Sequence, residues 1–174
     1  MIVPPRHGRP QSAAAQSESP SVNEMPPEPE AEDSIFSVGY EGRSIDEFVD
    51  VLRTNGVEIV VDVRLNAISR KRGFSKTALS TALKTAAIDY QHERELGNPK
   101  DNREAFRSGL RSARTRYQRH LRNGATPSFE AVVELARERK VALLCFENDH
   151  ATCHRSCITE RMQESWPQLG VVRI

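Results

Sequence analysis

The sequence predicts a three-layer α/β domain, a mostly parallel sheet of four to five strands with helices on both faces, and three observations predict it. Apolar runs and amphipathic stretches alternate as strand, helix, strand, helix, strand, two helices, strand, helix, which is the order that crossover-connected parallel strands produce. The apolar runs are near-continuous, as strands covered on both faces are. Polar residues follow the runs closely, where ligands bind in such sheets. No internal repeat is visible.

The first strand is Ile35 to Tyr40, ended by Gly39 and Gly42. Ser44 and Glu47 then form a capping box, and Ile45, Phe48, Val49 and Leu52 recur at helical spacing up to Gly56, so a helix follows. Val57 to Val63 is the second strand. Ala78, Leu79, Ala82, Leu83 and Ala86 mark the second helix, and Ile88 to His92 a short third strand. Phe106, Leu110, Ala113, Tyr117 and Leu121 predict one long helix from about Arg103 to Arg122. Thr126 as N-cap and Pro127 as first helical residue open another, with Phe129, Val132, Val133 and Ala136 inward. Val141 to Phe146 is the clearest central strand. A last helix starts near Cys153 or His154, carries Ile158 and Met162, and stops at Trp166 and Pro167. Val171 and Val172 can add an edge strand.

Composition bounds the function classes. Residues 1–33 are rich in Pro, Ser, Ala, Gln and Glu and cannot bury enough apolar surface to offset chain entropy, so they are expected to be a disordered acidic tail before one domain at 34–174. The tail lacks the apolar stretch of a secretory signal, and no later stretch reaches transmembrane length, so the expected location is the cytoplasm with no membrane partner. Cys145, Cys153 and Cys157 fall within thirteen residues, unlike a disulfide framework, and are expected as reduced thiols, metal ligands or core residues. From Arg64 to Arg122 there are fifteen Lys or Arg against five Asp or Glu, a net +10, while residues 1–33 carry −4. A basic middle section implies an anionic partner, or a tail folded over it.

Aligning the strands in parallel brings four carboxyl ends to one rim: Gly39, Tyr40 and Glu41; Asp62 and Arg64; Tyr90 and His92; Cys145 and Glu147. The pieces SVGYEG, VDVR, SRKRGFSK, Tyr90, LG at Leu96 and Gly97, LLCFE and CHR resemble the bacterial and archaeal family called domain of unknown function 488. The resemblance runs from Ile35 to about Met162. It implies an α/β fold and a site formed by these motifs: Asp62 and Arg64 in the first, Ser69, Arg70, Gly73 and Phe74 in the next, and Cys145, Glu147, Cys153, His154 and Arg155 in the last two. It implies no particular activity, and the tail lies outside it.

The residue types suggest chemistry directly. Cys153, at a helix start beside His154 and Arg155, is the best nucleophile, because those neighbours favour its thiolate; the bland alternative is that Cys153 and His154 cap the helix and bind an anion without reacting. Asp62 and Glu147 are candidate acid/base groups, or members of a structural network with Arg64 and Arg155, since a carboxylate beside arginines is a poor base. The mixed case, one carboxylate orienting an arginine and the other working, is favoured. Arg64, Arg70 and Arg155, with Ser69, Gly39, Tyr40 and Tyr90, are the expected anion-binding set. Cys145 is a possible thiol partner.

Spacing limits other readings. Nine residues separate Cys145 from Arg155 and one separates Cys153 from it, whereas a phosphatase or sulfurtransferase loop needs five. Zinc held by Cys145, His150, Cys153 and either His154 or Cys157 is chemically possible, but the paired C-x-x-C knuckles of structural sites are missing, so no metal is assigned and the cofactor is left unknown. Cys157 is more simply a core residue. The helix carrying Arg103, Arg107, Arg111, Arg114, Arg116, Arg119 and Arg122 offers a stripe of Arg107, Arg111 and Arg114 for a phosphate backbone, or an ordinary solvated face. The leading expectation is thus an enzyme for a phosphorylated or nucleotide-like anion; the alternatives are a non-catalytic nucleic-acid-binding module and a thiol redox or metal-binding protein.

Overall fold

The computed structural model describes residues 1–2 and 33–174; the expected disordered tail falls, but for its ends, outside them. Five strands, β1 (Ser34–Gly39), β2 (Ile59–Asp62), β3 (Asp89–His92), β4 (Val141–Cys145) and β5 (Gly170–Arg173), form one sheet in the order β3-β2-β4-β1-β5. Every neighbouring pair is parallel. The central strand β4 is buried throughout, which explains why VALLC shows no polar alternation.

Successive residues of the inner strands point to opposite layers. Val60, Ala142, Leu144, Phe36 and Val38 meet Phe48 and Leu52 of α1 (Ile45–Thr54) and Leu79 and Leu83 of α2 (Lys76–Thr85). Ile59, Val61, Leu143 and Cys145 meet the other layer: α3 (Arg103–Arg107), α4 (Arg111–Asn123), α5 (Thr126–Glu138) and α6 (Arg155–Ser165). The three-layer expectation therefore holds, with a wholly parallel sheet.

The capping box is formed: the Glu47 amide donates to Ser44 Oγ at 3.2 Å, and the Ser44 amide donates to Glu47 Oε2 at 2.7 Å. Two details differ from the expected helices. The stretch from Arg103 to Arg122 is broken, because Gly109 takes φ +77° and α3 ends there. The Leu110 amide reaches back to Ala105 O at 3.0 Å and the Gly109 amide to Phe106 O at 3.0 Å, the paired bonds of a left-handed helix end. Leu110, expected inward, is consequently 53% exposed. Thr126 is the first residue of α5 rather than its cap, its hydroxyl donating to Arg122 O at 2.8 Å.

Candidate functional site

All five strands being parallel, the rim expected from the motifs exists, and the sheet's edge divides it into two halves. On the α1/α2 side, Asp62 accepts from Arg64 Nε at 2.8 Å and Nη2 at 2.6 Å, and from the Tyr90 hydroxyl at 2.7 Å. Arg64 Nη1 donates to the Tyr40 hydroxyl at 3.1 Å and to Phe74 O at 2.9 Å. Tyr40 in turn stacks on Phe74, with centroids 4.4 Å apart. Burial works against the Arg64 charge, but bonding to Asp62 holds its proton more tightly than usual. Burial, then the Asp62 carboxylate, raises the Tyr90 hydroxyl. Asp62 is 0% exposed and holds the Arg64 guanidinium in place through both of its oxygens.

On the α4/α6 side lie Cys145, Glu147, Cys153 and His154, whose potential ligand atoms all fall within 4.8 Å of one another. His154 Nδ1 is 3.8 Å from Cys145 Sγ and 3.7 Å from Cys153 Sγ, and its Nε2 is 2.9 Å from Val63 O. Cys145 Sγ donates to Glu147 Oε2 at 3.0 Å. The ring of Tyr117 meets the His154 ring edge-on at 5.2 Å, so α4 fixes the imidazole from behind. Burial pushes the Cys153 thiol up, but the Cys145 hydrogen bond and the charges of His154 and Arg155 outweigh it and hold Cys153 well below the usual thiol range. The bond to Cys153, together with burial, drives Cys145 well above that range. Burial lowers His154, yet the Cys153 charge leaves it raised. None of the three cysteines is in a disulfide.

A cavity of about 240 Å³ spans the two halves, lined by Tyr40 and Arg64 from one and Cys145, Glu147 and His154 from the other, with Asn98, Arg103, Phe106 and Arg107 closing it. Arg103 donates through Nε to Asn98 O at 3.1 Å. Arg107, 57% exposed in its side chain, reaches across the mouth to Glu147 Oε1 at 3.0 Å. Arg103 was legible only as one of the arginines of the expected long helix, and Arg107 only as part of its stripe. The helix break at Gly109 is what turns α3 toward the rim.

Several expected site residues lie elsewhere. Cys153, 1% exposed, does not line the cavity, so direct attack by it on a substrate there is not what the geometry offers. Arg155 is 0% exposed and does not join an anion site; its Nε donates to Cys153 Sγ at 3.2 Å, its Nη2 bonds Glu147 O, and its Nη1 has no partner among the described residues. Arg70 is exposed and outside the cavity. Ser69 Oγ accepts from the Lys71 amide at 3.1 Å within its own loop. Gly39 leaves no room for an anion, since a Cβ there would stand 2.0 Å from Glu147 O.

His150 and Cys157 are also apart from the sulfur cluster. His150 Nδ1 is 2.7 Å from Ser37 Oγ. Cys157 is buried in the core beside α4, and burial pushes its thiol up to about 11. Arg107, Arg111 and Arg114 do not form one stripe: Arg107 lies before the break and holds Glu147, while Arg114 bonds Ser156 Oγ at 3.1 Å and pairs with Glu160. Arg116 and Arg122 likewise pair with Asp101 and Glu164. Among the described residues, no helix is long and apolar enough to cross a membrane.

Fold and rim define an α/β protein with an open parallel sheet and a polar cavity at its carboxyl edge. The chain belongs to the family described as Domain of unknown function DUF488, whose model matches residues 44–162. That span holds Asp62, Arg64 and the whole Cys145 to Arg155 cluster. Comparison with curated proteins and with solved structures finds no match.

Proposed function

We propose that the chain is an enzyme acting on a small anionic substrate, phosphorylated or nucleotide-like, bound in this cavity. The observation that carries the reading is the sharing of one cavity by three arginines, Arg64, Arg103 and Arg107, and by a thiol, a carboxylate and an imidazole, from Cys145, Glu147 and His154. A guanidinium has five donors, and Arg64 uses four in the bonds given above, so one Nη2 hydrogen has no partner among the described residues and can meet a ligand. Arg103 spends only Nε on Asn98 among the described residues. Planar arginine forks suit phosphate and carboxylate oxygens.

Glu147, not Asp62, is the carboxylate suited to working. It lines the cavity and pairs with the exposed Arg107, whereas Asp62 is fully buried beneath. The pairing of Arg114, Arg116 and Arg122 with acids of the same domain argues against a phosphate-backbone face and favours the small substrate.

The test is thermal unfolding of the full chain with inorganic phosphate, sugar phosphates and nucleotides, because a ligand of the folded state raises the melting temperature. One class is expected to stabilise, by about 2.7 kcal/mol at a hundred times its Kd. The shift is expected to vanish in Arg103→Ala and shrink in Arg107→Ala, whose exposed ion pair contributes little to folding. No shift with any of the panel, or a shift that survives both substitutions, overturns the reading.

A further inference from the structure

We propose that Cys145, Cys153 and His154, with Glu147 as the fourth ligand, form a zinc site at the floor of the cavity. The argument begins with distances. Zinc bonds of about 2.3 Å to sulfur and about 2.0 Å to nitrogen, at the tetrahedral angle, set sulfur and nitrogen about 3.5 Å apart. Here Nδ1 of His154 stands 3.8 and 3.7 Å from the two sulfurs, and all four donor atoms lie within 4.8 Å of one another. The two nitrogen–sulfur separations thus stand within a few tenths of an ångström of those around a zinc ion.

The surroundings match a ligand shell. A metal-bound histidine commonly donates its other ring N–H to a carbonyl, which fixes the tautomer, and His154 Nε2 faces Val63 O at 2.9 Å. That bond leaves the Nδ1 lone pair as the metal-binding group, close to both sulfurs. Arg155 Nε donates to Cys153 Sγ at 3.2 Å, a further outer contact. Charge also closes: two thiolates and a carboxylate bring three negative charges, and a divalent ion with the buried Arg155 guanidinium brings three positive. Ligation requires the Cys145 thiol to lose its proton. Soft sulfur donors with imidazole select zinc over magnesium or calcium.

The ligands come from the end of β4 and the start of α6, so no sequence knuckle announces them. A plain nucleophile needs one accessible thiol; this site has two, with Cys153 sealed behind Cys145 and His154. Glu147 and Cys145 line the cavity, so the ion sits where it can polarise a substrate oxygen once Glu147 yields its position. That catalytic use rests on the enzyme reading above; binding of the ion does not.

The experiment is Co²⁺ titration of the metal-free full chain, followed by displacement with Zn²⁺. One equivalent of Co²⁺ is expected to give thiolate charge-transfer absorption and the strong visible bands of a tetrahedral site, both abolished by equimolar Zn²⁺. Cys153→Ser is expected to weaken binding more than about a hundredfold, beyond the loss seen on altering an outer-shell partner; Cys157→Ala is expected to keep the spectrum. Absence of charge-transfer absorption in the wild-type chain overturns the site, as does a spectrum lost in Cys157→Ala but kept in Cys153→Ser. Phosphate-induced stabilisation without any metal uptake sinks the zinc site and leaves the enzyme reading standing; metal uptake without it does the reverse.

Discussion

Arg64 meets Asp62 fork to fork, two parallel hydrogen bonds between side chains only two residues apart at the end of β2. The pair is buried, and Tyr40, Tyr90 and the Phe74 carbonyl satisfy most of what remains. It couples β1, β2, β3 and the loop to α2, and so braces the wall of the cavity.

Asp62→Asn is therefore expected to cost about 3–5 kcal/mol, since it leaves the Arg64 charge buried without its partner. Urea denaturation of the two proteins measures this directly. A loss below about 1 kcal/mol would mean that water reaches Arg64 and that the brace is not closed.

The residue just past the C-cap of α2 carries a different kind of strain. Ala87 has φ +57° and is exposed, in the conformation that costs an L-residue about 1–2 kcal/mol. Glycine relieves that cost but loses about 0.5–1 kcal/mol through its extra freedom when unfolded. Ala87→Gly is thus expected to stabilise by up to about 1 kcal/mol, visible as a higher urea midpoint; a destabilised variant would show that the Ala87 methyl does something the backbone does not reveal.

The capping box predicts a pH effect. Hydrogen bonds from the backbone and side chain of Ser44 hold the Glu47 carboxyl below its usual value. A carboxylate depressed in the folded state stabilises above its unfolded pKa of about 4.3 and loses that contribution as pH falls through the folded value. Wild type is expected to exceed Glu47→Gln in stability at pH 7, with the gap closing below about pH 4. Melting curves across that range would refute the assignment if the gap stayed constant.

Much of the fold was legible because burial leaves simple traces. The capping box at Ser44, the unbroken VALLC run and the polar residues after each strand translate directly into α1, β4 and the rim. Gly109 misled because the apolar spacing from Phe106 to Tyr117 continues through it, and spacing does not register one residue in a left-handed turn. Arg155 misled for another reason. Arginines are mostly exposed, and nothing in CHR says that this one turns inward to Cys153 and the Glu147 carbonyl. Cys145, Cys153 and His154 stood among the ligands the sequence offered to zinc, but His150 was set beside them where the fold brings Glu147 and turns His150 to Ser37, a choice that spacing along the chain does not show.

The position of β1 between β4 and β5 bears on how the protein can be handled. The matched span of the family starts at Ser44 and ends at Met162, beyond the last residue of β1 and short of β5. A fragment trimmed to that span would leave VALLC as a raw, wholly apolar sheet edge, the kind that pairs with other copies and precipitates. It would also lose Tyr40, the cavity wall that hydrogen-bonds Arg64. Work on any relative should therefore keep at least ten residues upstream of the serine cap and the closing strand as well.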